Sequence, residues 1–376
     1  LPEEEQICSI CGTHLEVIGK ETVRKELEYI PATLKVVEYV SVHYGCPKCK
    51  TDEEKPNIIH APVPPALLRS YASPSIVAWV IYSKYVNGMP LYRQEKDWLQ
   101  YGFELSRATM ANWVIECTDK YLRVLYEFYH RLLLSREFAM ADESHIQVLK
   151  EEGREATAKS YMWLFRSGED DTPPIVLYKY ASTRSGDVAK EFLKGFNGYL
   201  MADGYTGYNK VQDIKRCCCF AHIRRYFFDA IPKGKNRDIS CPAVQGVEYC
   251  DKLFAYERHF KEKGYSYKQI KNGRLKKEKP VIEAFLSWLE KQKPIKGSQF
   301  ATAVTYALNR KEHMMTYLED GRCSLSNNLS EQKMKSYVIG RKGWLFSDSP
   351  EGAEASAISY SIAETALANG LNVYKY

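Results

Sequence analysis

Two segments, Glu137-Phe-Ala-Met-Ala-Asp-Glu-Ser-His-Ile-Gln-Val-Leu149 and Tyr199-Leu-Met-Ala-Asp203, decide the predicted fold. Each contains a short apolar run that is typical of a buried strand, and each run delivers an aspartate, Asp142 or Asp203, at its end. The shared pattern of an apolar strand followed by an acidic side chain predicts that both aspartates lie at one edge of a sheet.

The segments around these two extend the pattern to a mixed α/β domain. Strands are predicted over 160–166, 174–180 and within 211–220, and helices over 186–194 and 221–231. The resulting order, β-β-β-α-β-α-β-α, is that of a ribonuclease-H-like domain, in which the first and fourth strands are neighbours. Asp142 and Asp203 would then lie side by side.

A third acidic residue is expected from Glu331, which lies in a helix predicted over 325–340. Two carboxylates a few ångströms apart repel each other, and a divalent cation commonly resolves the repulsion. Ser326 or Asn327 is predicted to cap this helix, and Lys335 lies one turn after Glu331 on the same face. Taken alone, these residues indicate metal-assisted phosphoryl chemistry.

Two neighbours of the acidic residues are interpreted as structural. Glu143 is expected to face away from Asp142, since successive side chains of a strand point to opposite faces. The consecutive Cys217, Cys218 and Cys219 are expected to be buried strand residues.

The N-terminal segment 1–55 has two Cys-x2-Cys pairs, Cys8/Cys11 and Cys46/Cys49. Two such turns brought together form a structural zinc site with four thiolate ligands. The alternative is two unrelated redox or buried pairs. Between them, the β-branched run 34–42 predicts a strand and hence a small β module.

Length, composition and cysteine usage favour a multidomain globular protein in a reducing compartment. The chain has 376 residues, of which 45% are hydrophobic and 27% charged. Seven of the 11 cysteines lie outside the two pairs, as expected of reduced thiols in a cytoplasm. No apolar run is long enough for a membrane span, and no secretory signal is recognisable. The first residue is Leu1 rather than Met, which leaves open whether the gene product extends upstream.

A proline-rich linker over 56–66 and helices between 74 and 133 are predicted to connect the cysteine module to the sheet. Ser73 can cap the first of these helices and Ser106 the last, and Arg107 lies outward near the start of the last helix. This arrangement is typical of a helix-turn-helix recognition helix that contacts DNA. A plain helical connector is the alternative.

Segment 232–320 interrupts the strand order and predicts a basic α-helical insertion. Residues 205–320 carry 23 basic and 13 acidic side chains, a net charge of +10 within a chain of net charge +6. A polyanion partner and a solvated lysine-rich face are both consistent with this charge. The predicted domains are therefore 1–55 (zinc), 56–135 (linker and helices), 136–231 (core, first part), 232–320 (insertion) and 321–376 (final helices of the core).

The complete pattern resembles the DDE transposases of the insertion-sequence-66 family. The matching words are Ala-Asp142-Glu-Ser, Ala-Asp203-Gly-Tyr-Thr-Gly-Tyr208, Cys219-Phe-Ala-His-Ile-Arg-Arg-Tyr-Phe227, Ser326-Asn-Asn-Leu-Ser-Glu331, Gly340-Arg-Lys-Gly-Trp-Leu-Phe346 and Tyr360-Ser-Ile-Ala-Glu-Thr365. The cysteine pairs also resemble that family's zinc-binding domain. The expected fold is thus a multidomain α+β or α/β protein, with a ribonuclease-H-like mixed sheet, an α-helical insertion, a small zinc-binding β module and a helical connector.

The resemblance implies that Asp142, Asp203 and Glu331 hold two Mg²⁺ or Mn²⁺ ions and that Cys8, Cys11, Cys46 and Cys49 hold one Zn²⁺. The ions would support cleavage of the element's terminal repeats and transfer of the freed strand ends to target DNA. The residues expected to contact DNA are Arg107, His222, Arg225, Lys335, Arg341, Lys342 and Trp344.

Some positions depart from the family's usual motifs. Gln332 and Lys335 stand where arginines are usual, Phe220 replaces a tryptophan, and Gly343 replaces an asparagine. Lysine keeps the charge but cannot form the bidentate phosphate contact of arginine.

The resemblance further implies double-stranded DNA as partner, a homodimer or higher assembly on DNA, and a bacterial cytoplasmic, nucleoid-associated location. Two other functions remain open: a metal-dependent nuclease without strand transfer, and a catalytically inert zinc-containing DNA-binding protein.

Overall fold

The computed structural model describes residues 2–28, 33–47, 58–68, 71–235 and 238–376. The chain divides into two compact units, Leu1–Val63 and Pro64–Tyr376. The second unit contains the mixed sheet with its two predicted aspartates, together with the helices that cover it.

The first unit is a small β module, as predicted. Strand β1 (His43–Gly45) pairs antiparallel with β2 (Ile58–His60), and a 3-10 helix spans Glu3–Glu5. The strand predicted over 34–42 is wrong, because strand pairing begins only at His43, opposite His60. The linker predicted over 56–66 therefore includes a short strand rather than only extended connection.

Helices α1 (Pro74–Tyr85), α2 (Leu91–Gln100) and α3 (Arg107–Cys117) precede the sheet, and a π-helical turn connects α3 to α4 (Arg123–Leu134). Ser73 Oγ accepts a hydrogen bond from Ile76 N, and Ser106 Oγ accepts one from Thr109 N. Both serines therefore cap their helices as the sequence predicts.

The sheet of the second unit has the predicted strand order. Antiparallel strands β3 (Phe138–Val148), β4 (Lys159–Ser167) and β5 (Val176–Ala181) are followed by β6 (Tyr199–Ala202) and β7 (Lys215–Cys218). Their spatial order is β5-β4-β3-β6-β7, with β6 parallel to β3 and β7 parallel to β6. The ribonuclease-H-like class of fold is thus confirmed.

Each face of this sheet is covered by a separate apolar core. Phe138 and Met140 of β3 face helix α6 (Phe220–Asp229) and the helices that follow it. Ala139 and Ala141 face the opposite core, which includes residues of α4 and of helix α5 (Gly186–Phe192). The alternation along β3 follows from the period of two in a strand.

The segment between α6 and residue 320 is helical, as predicted for the insertion. It contains α7 (Pro242–Glu262), α8 (Tyr267–Gly273), α9 (Lys279–Lys291) and α10 (Gln299–Leu308). Apolar residues of α7, α9 and α10 share one core with the sheet, for example Leu253, Phe285 and Val304. The insertion therefore completes the sheet's hydrophobic covering on that side.

Two long helices close the chain, α11 (Asn328–Trp344) and α12 (Pro350–Ala368), with strand β8 (Phe346–Ser347) between them beside the end of β3. Helix α12 packs against the edge strand β5. Ser361 Oγ accepts a hydrogen bond from Tyr178 N at 2.7 Å, and Thr365 Oγ1 accepts one from Val176 N at 3.0 Å. These side chains satisfy edge-strand amides that would otherwise be buried unpaired.

A buried carboxyl group inside the insertion makes stability dependent on pH. Burial, and then repulsion from Glu257, raise the pKa of Glu278 from 4.5 to about 8. Glu257 is paired with Arg274 at 2.7 Å, while Glu278 accepts a hydrogen bond from the Tyr317 hydroxyl at 2.6 Å. The folded protein therefore holds a proton on Glu278 at pH values where the unfolded chain has lost it.

We predict that Glu278→Gln makes the free energy of unfolding less dependent on pH. A raised carboxyl pKa contributes stability that is full below the unfolded pKa and is lost as pH rises through the folded pKa. Wild type should lose stability relative to the variant between about pH 5 and pH 9 in denaturant titrations. The exposed Glu262→Gln is the control, and an equal pH dependence in Glu278→Gln and wild type would contradict the prediction.

Candidate active site

The pairing of β3 with β6 brings Asp142 and Asp203 to the same level of the sheet. Met140 lies opposite Met201 in this parallel pair, and each aspartate follows two residues later. Asp142 is still inside β3, whereas Asp203 comes directly after β6 and accepts a hydrogen bond from Tyr205 N at 2.9 Å. The predicted adjacency of the two strands is what the sheet shows.

Glu331 reaches this place because the start of α11 is tied to the sheet. The Asn327 side-chain amide donates a hydrogen bond to Ala141 O at 2.9 Å, one residue before Asp142. The Asn327 backbone N–H donates to Cys219 Sγ at 3.2 Å. Glu331 lies in the first turn that follows.

The capping prediction for this helix is wrong. Asn327 occupies the N-cap position, but its side chain makes no capping hydrogen bond, and Ser326 precedes that position. The amide is instead used to join the helix to β3, because the buried carbonyl of Ala141 is within its reach.

The carboxylates are close enough to perturb one another. Burial, and then repulsion from Glu143, Asp203 and Glu331, raise the pKa of Asp142 to about 8. A buried cluster of like charges is unstable unless a proton, a cationic side chain or a metal ion neutralises it.

Glu143 already has its own neutralising partners. It belongs to the face of β3 that carries Ala141, and its carboxylate accepts hydrogen bonds from the Arg184 guanidinium, at 2.6 Å, and from the Tyr208 hydroxyl. Burial raises the pKa of Glu143, with a further contribution from Asp203. Its placement agrees with the expectation that it faces away from Asp142.

His222, in the first turn of α6, lies beside Glu331 of α11. Its Nε2 atom is 3.6 Å from Glu331 Oε1. Burial lowers the pKa of His222, and the neighbouring Arg225 and Arg310 add to this effect. Arg225 itself is exposed.

Two arginines that the sequence analysis did not identify hold the backbone around Asp203. Arg310 donates to Gly204 O at 2.6 Å and lies 3.5 Å from the ring centre of Tyr306. A Cβ atom on Gly204 would lie only 1.7 Å from Arg310 Nη2, so a larger residue at this position would displace the guanidinium. Arg216 donates to Asp203 O at 3.3 Å. Arg310 belongs to the insertion. In the sequence, only the Asp203-Gly204 dipeptide indicated an unusual backbone conformation after β6.

The first cysteine pair forms a tight turn in the N-terminal unit. Cys8 N donates to Thr13 O, Gly12 N donates to Cys8 O, and Gly12 has a φ of +72°. Hydrogen bonding to Thr13, and then to Cys8, lowers the pKa of Cys11 to about 7, which favours the thiolate that zinc binds. Cys46 follows β1, and Cys49 lies outside the described residues.

Comparison with known proteins identifies the family. The family model described as "Transposase IS66 family" matches residues 69–355, and the model for the zinc-finger binding domain of transposase IS66 matches residues 5–50. The chain belongs to the IS66 transposase family. Its N-terminal segment is the zinc-finger domain of that family, and its sheet and insertion lie within the transposase domain.

Three relatives from Sinorhizobium fredii align with nearly the whole of this transposase-family chain. The uncharacterized proteins y4hP, y4jD and y4qI are 28%, 27% and 27% identical to it. The alignments cover 98%, 99% and 98% of this chain and 69%, 73% and 69% of the respective relatives.

The basic residues expected to meet DNA in a transposase lie at several places. Lys335 and Lys342 of α11 are exposed, and Arg107 is exposed at the start of α3. Arg341 donates a hydrogen bond to His145 O, and with Lys342 it lines a cavity of about 230 Å³ beside the end of β3.

Trp344 is half-buried in an aromatic group rather than fully exposed. Its ring centre is 6.4 Å from those of Tyr85 and Tyr360, and Lys84 Nζ lies 5.4 Å above it. This position joins α11 to α1 and α12, so the indole has a structural role. Contact of Trp344 with DNA stays a prediction.

Within the described residues, no helix of this transposase-family chain is long and apolar enough to cross a membrane.

Proposed function

We propose that the chain is a DNA transposase that binds its element's terminal repeats and catalyses metal-dependent strand cleavage and strand transfer. Asp142, Asp203 and Glu331 would be the catalytic residues. The observation that supports this most strongly is the convergence of β3, β6 and the start of α11. It brings Asp203 and Glu331 close enough to Asp142 to add to the effects of burial and of Glu143, which together raise the pKa of Asp142 to about 8.

The composition of this site suits Mg²⁺ or Mn²⁺. Carboxylate oxygens are the ligands that these hard cations prefer, and a bound cation would offset the burial and the repulsion that raise the pKa of Asp142. Two such ions held by the three carboxylates would activate an attacking water or DNA 3′-hydroxyl and stabilise the leaving oxygen.

The chain's own residues provide the rigid frame for that chemistry. Arg216 and Arg310 bind the backbone carbonyls of Asp203 and Gly204, which fixes the loop after β6. Asn327 fixes the start of α11 and therefore the direction in which Glu331 enters the site. Rigid positioning of this kind is worth several kilocalories per mole in phosphoryl transfer, where positioning and electrostatics do most of the work.

DNA is the proposed partner because cationic side chains lie near the carboxylates. Arg225 is within electrostatic reach of His222, and Lys335 follows Glu331 by one helical turn. Such side chains hold the phosphate backbone and position it without reading its sequence. The zinc-finger domain, with Cys8, Cys11, Cys46 and Cys49 as proposed ligands of one Zn²⁺, would add a second contact region.

Pairing of two element ends favours a homodimer or a higher assembly on DNA. The protein would then act in the bacterial cytoplasm, associated with the nucleoid while bound to DNA. A nuclease without strand transfer is the second candidate function, because the same carboxylates would support hydrolysis alone.

We predict that Asp203→Asn and Glu331→Gln each reduce Mg²⁺-dependent cleavage of terminal-repeat DNA by more than about 100-fold, since each removes a metal ligand. The exposed Asp229→Asn should retain wild-type activity. Cleavage and joining are measured separately on labelled DNA with an unlabelled target.

The products separate the candidate functions. Joined products support the transposase, whereas cleavage without joining at every target concentration supports the nuclease. Cleavage by wild type and Asp203→Asn at equal rates would contradict the assignment of the site, and absence of both reactions in wild type would favour the inert DNA-binding protein.

We predict that Asn327→Ala raises the Mg²⁺ concentration needed for half-maximal cleavage by about 10- to 100-fold, because the start of α11 loses its hydrogen bond to β3. Loss of this buried bond should also lower the free energy of unfolding by about 1–3 kcal/mol.

The matched control is Asn328→Ala, which changes the next, exposed residue. A loss of stability in Asn327→Ala with an unchanged metal requirement would show that Asn327 does not position Glu331.

A further inference from the structure

A second group of potential metal ligands lies directly beside the three carboxylates. Cys219, His222 and Glu331 present a sulfur, an imidazole nitrogen and a carboxylate oxygen that all lie within 4.8 Å of one another. It is the one group of three or more cysteine, histidine or acidic side chains this close together in the part of the chain that the structure describes.

Two buried atoms of this group have no hydrogen-bond partner among the described residues. They are Glu331 Oε1 and His222 Nδ1. His222 Nε2 faces Glu331 Oε1 across 3.6 Å, which is too long for a hydrogen bond. Unpaired buried polar atoms are costly, and a shared cation is one way to satisfy them.

The backbone explains why these three side chains meet. Cys219 immediately precedes α6 and His222 lies in its first turn, so both project from the same end of that helix. The Asn327 N–H donates to Cys219 Sγ and brings the first turn of α11, with Glu331, to the same point. Backbone N–H donors to sulfur also stabilise a metal-bound thiolate.

We infer that Cys219, His222 and Glu331 form a binding site for a single borderline transition-metal ion of the Zn²⁺ or Co²⁺ class. Thiolate and imidazole ligands select such ions over Mg²⁺, which prefers oxygen alone. On binding, the Cys219 thiol releases its proton to solvent, and the ion takes one bond each from sulfur, nitrogen and oxygen.

The distances fit this assignment. In a tetrahedral zinc site, nitrogen and oxygen ligands are about 3.4 Å apart and sulfur and nitrogen about 3.6 Å apart, given the usual bond lengths. The observed 3.6 Å between His222 Nε2 and Glu331 Oε1 is close to the first distance, and the sulfur has to approach by at most about 1.2 Å. Three protein ligands leave the fourth position for water, as in catalytic zinc sites.

A cation can enter on the side of His222 and Glu331, whereas Cys219 is buried. The side chains of His222 and Glu331 are 17% and 28% exposed, and Asp203 adds negative charge nearby. Arg225 and Arg310 oppose this negative charge, and two nitrogens of the Arg310 guanidinium are directed to the carbonyls of Gly204 and Tyr306.

Because Glu331 belongs to both groups, binding of Zn²⁺ would withdraw it from the Mg²⁺ site. Excess Zn²⁺ should therefore inhibit Mg²⁺-supported cleavage. This consequence rests on the proposed function, whereas binding of the ion itself does not.

Binding is tested on the full chain with Co²⁺ as the probe. Thiolate-to-cobalt charge-transfer absorption and the number of bound equivalents are measured for wild type, Cys219→Ser and His222→Gln. Both variants should bind one equivalent less than wild type, and Cys219→Ser should lose the matching part of the thiolate absorption. Cys117→Ser, which removes a buried cysteine of α3, should match wild type.

Equal cobalt stoichiometry in wild type and His222→Gln would overturn the inference, even if Cys219→Ser fails to fold. If binding is lost as expected, DNA cleavage is then titrated with Zn²⁺ at fixed Mg²⁺. Each variant, compared with its own activity without Zn²⁺, should need at least about tenfold more Zn²⁺ for half-inhibition than wild type. If the variants are inhibited at the same Zn²⁺ concentration as wild type, Glu331 is not shared between the two metal sites. Absence of cleavage in wild type would count against the proposed function alone.

Discussion

The parallel pairing of β3 with β6 is the constraint on which the rest of this structure depends. It places Asp142 and Asp203 at one level of a sheet whose two faces are both buried. Like charges in such a place destabilise the fold, and the elements around them are arranged to limit this cost. Arg184 neutralises Glu143, and Arg216 and Arg310 stabilise the loop that carries Asp203. Asp142 remains unfavourable as a charged group, because burial and then repulsion from Glu143 raise its pKa to about 8.

The third carboxylate shows how a distant part of the chain is brought into the same site. More than one hundred residues separate β6 from α11, and most of them form the helical insertion. The insertion packs on the sheet face that carries Met140 and Met201, and so returns the chain to the point where β3 delivers Asp142. The Asn327 amide then ties the start of the helix to Ala141. The basic insertion thus has a packing role at the candidate site as well as its proposed role with DNA.

The sequence predicted the elements of the second unit well because their signals are local. Apolar runs gave β3 to β7, and Ser73 and Ser106 marked the starts of α1 and α3. Prediction from the sequence failed where the contact of a side chain depends on a partner that is distant along the chain. Asn327 is a good local cap, yet the carbonyl of Ala141, far away in sequence, takes its amide. Arg310 likewise had no local signal, since its partner is the carbonyl of Gly204. The valine-rich run 34–42 predicted a strand, but pairing with Ile58–His60 begins only at His43.

The most direct test of this account is diffraction from crystals of the protein soaked with Mn²⁺, using the anomalous signal of manganese to locate the ion. The account predicts a peak at about 2.0–2.2 Å from carboxylate oxygens of both Asp142 and Asp203, with Glu331 as a further ligand in the same cluster. Ordered density for all three side chains with no manganese peak between them, or with Glu331 turned away from both aspartates, would contradict it.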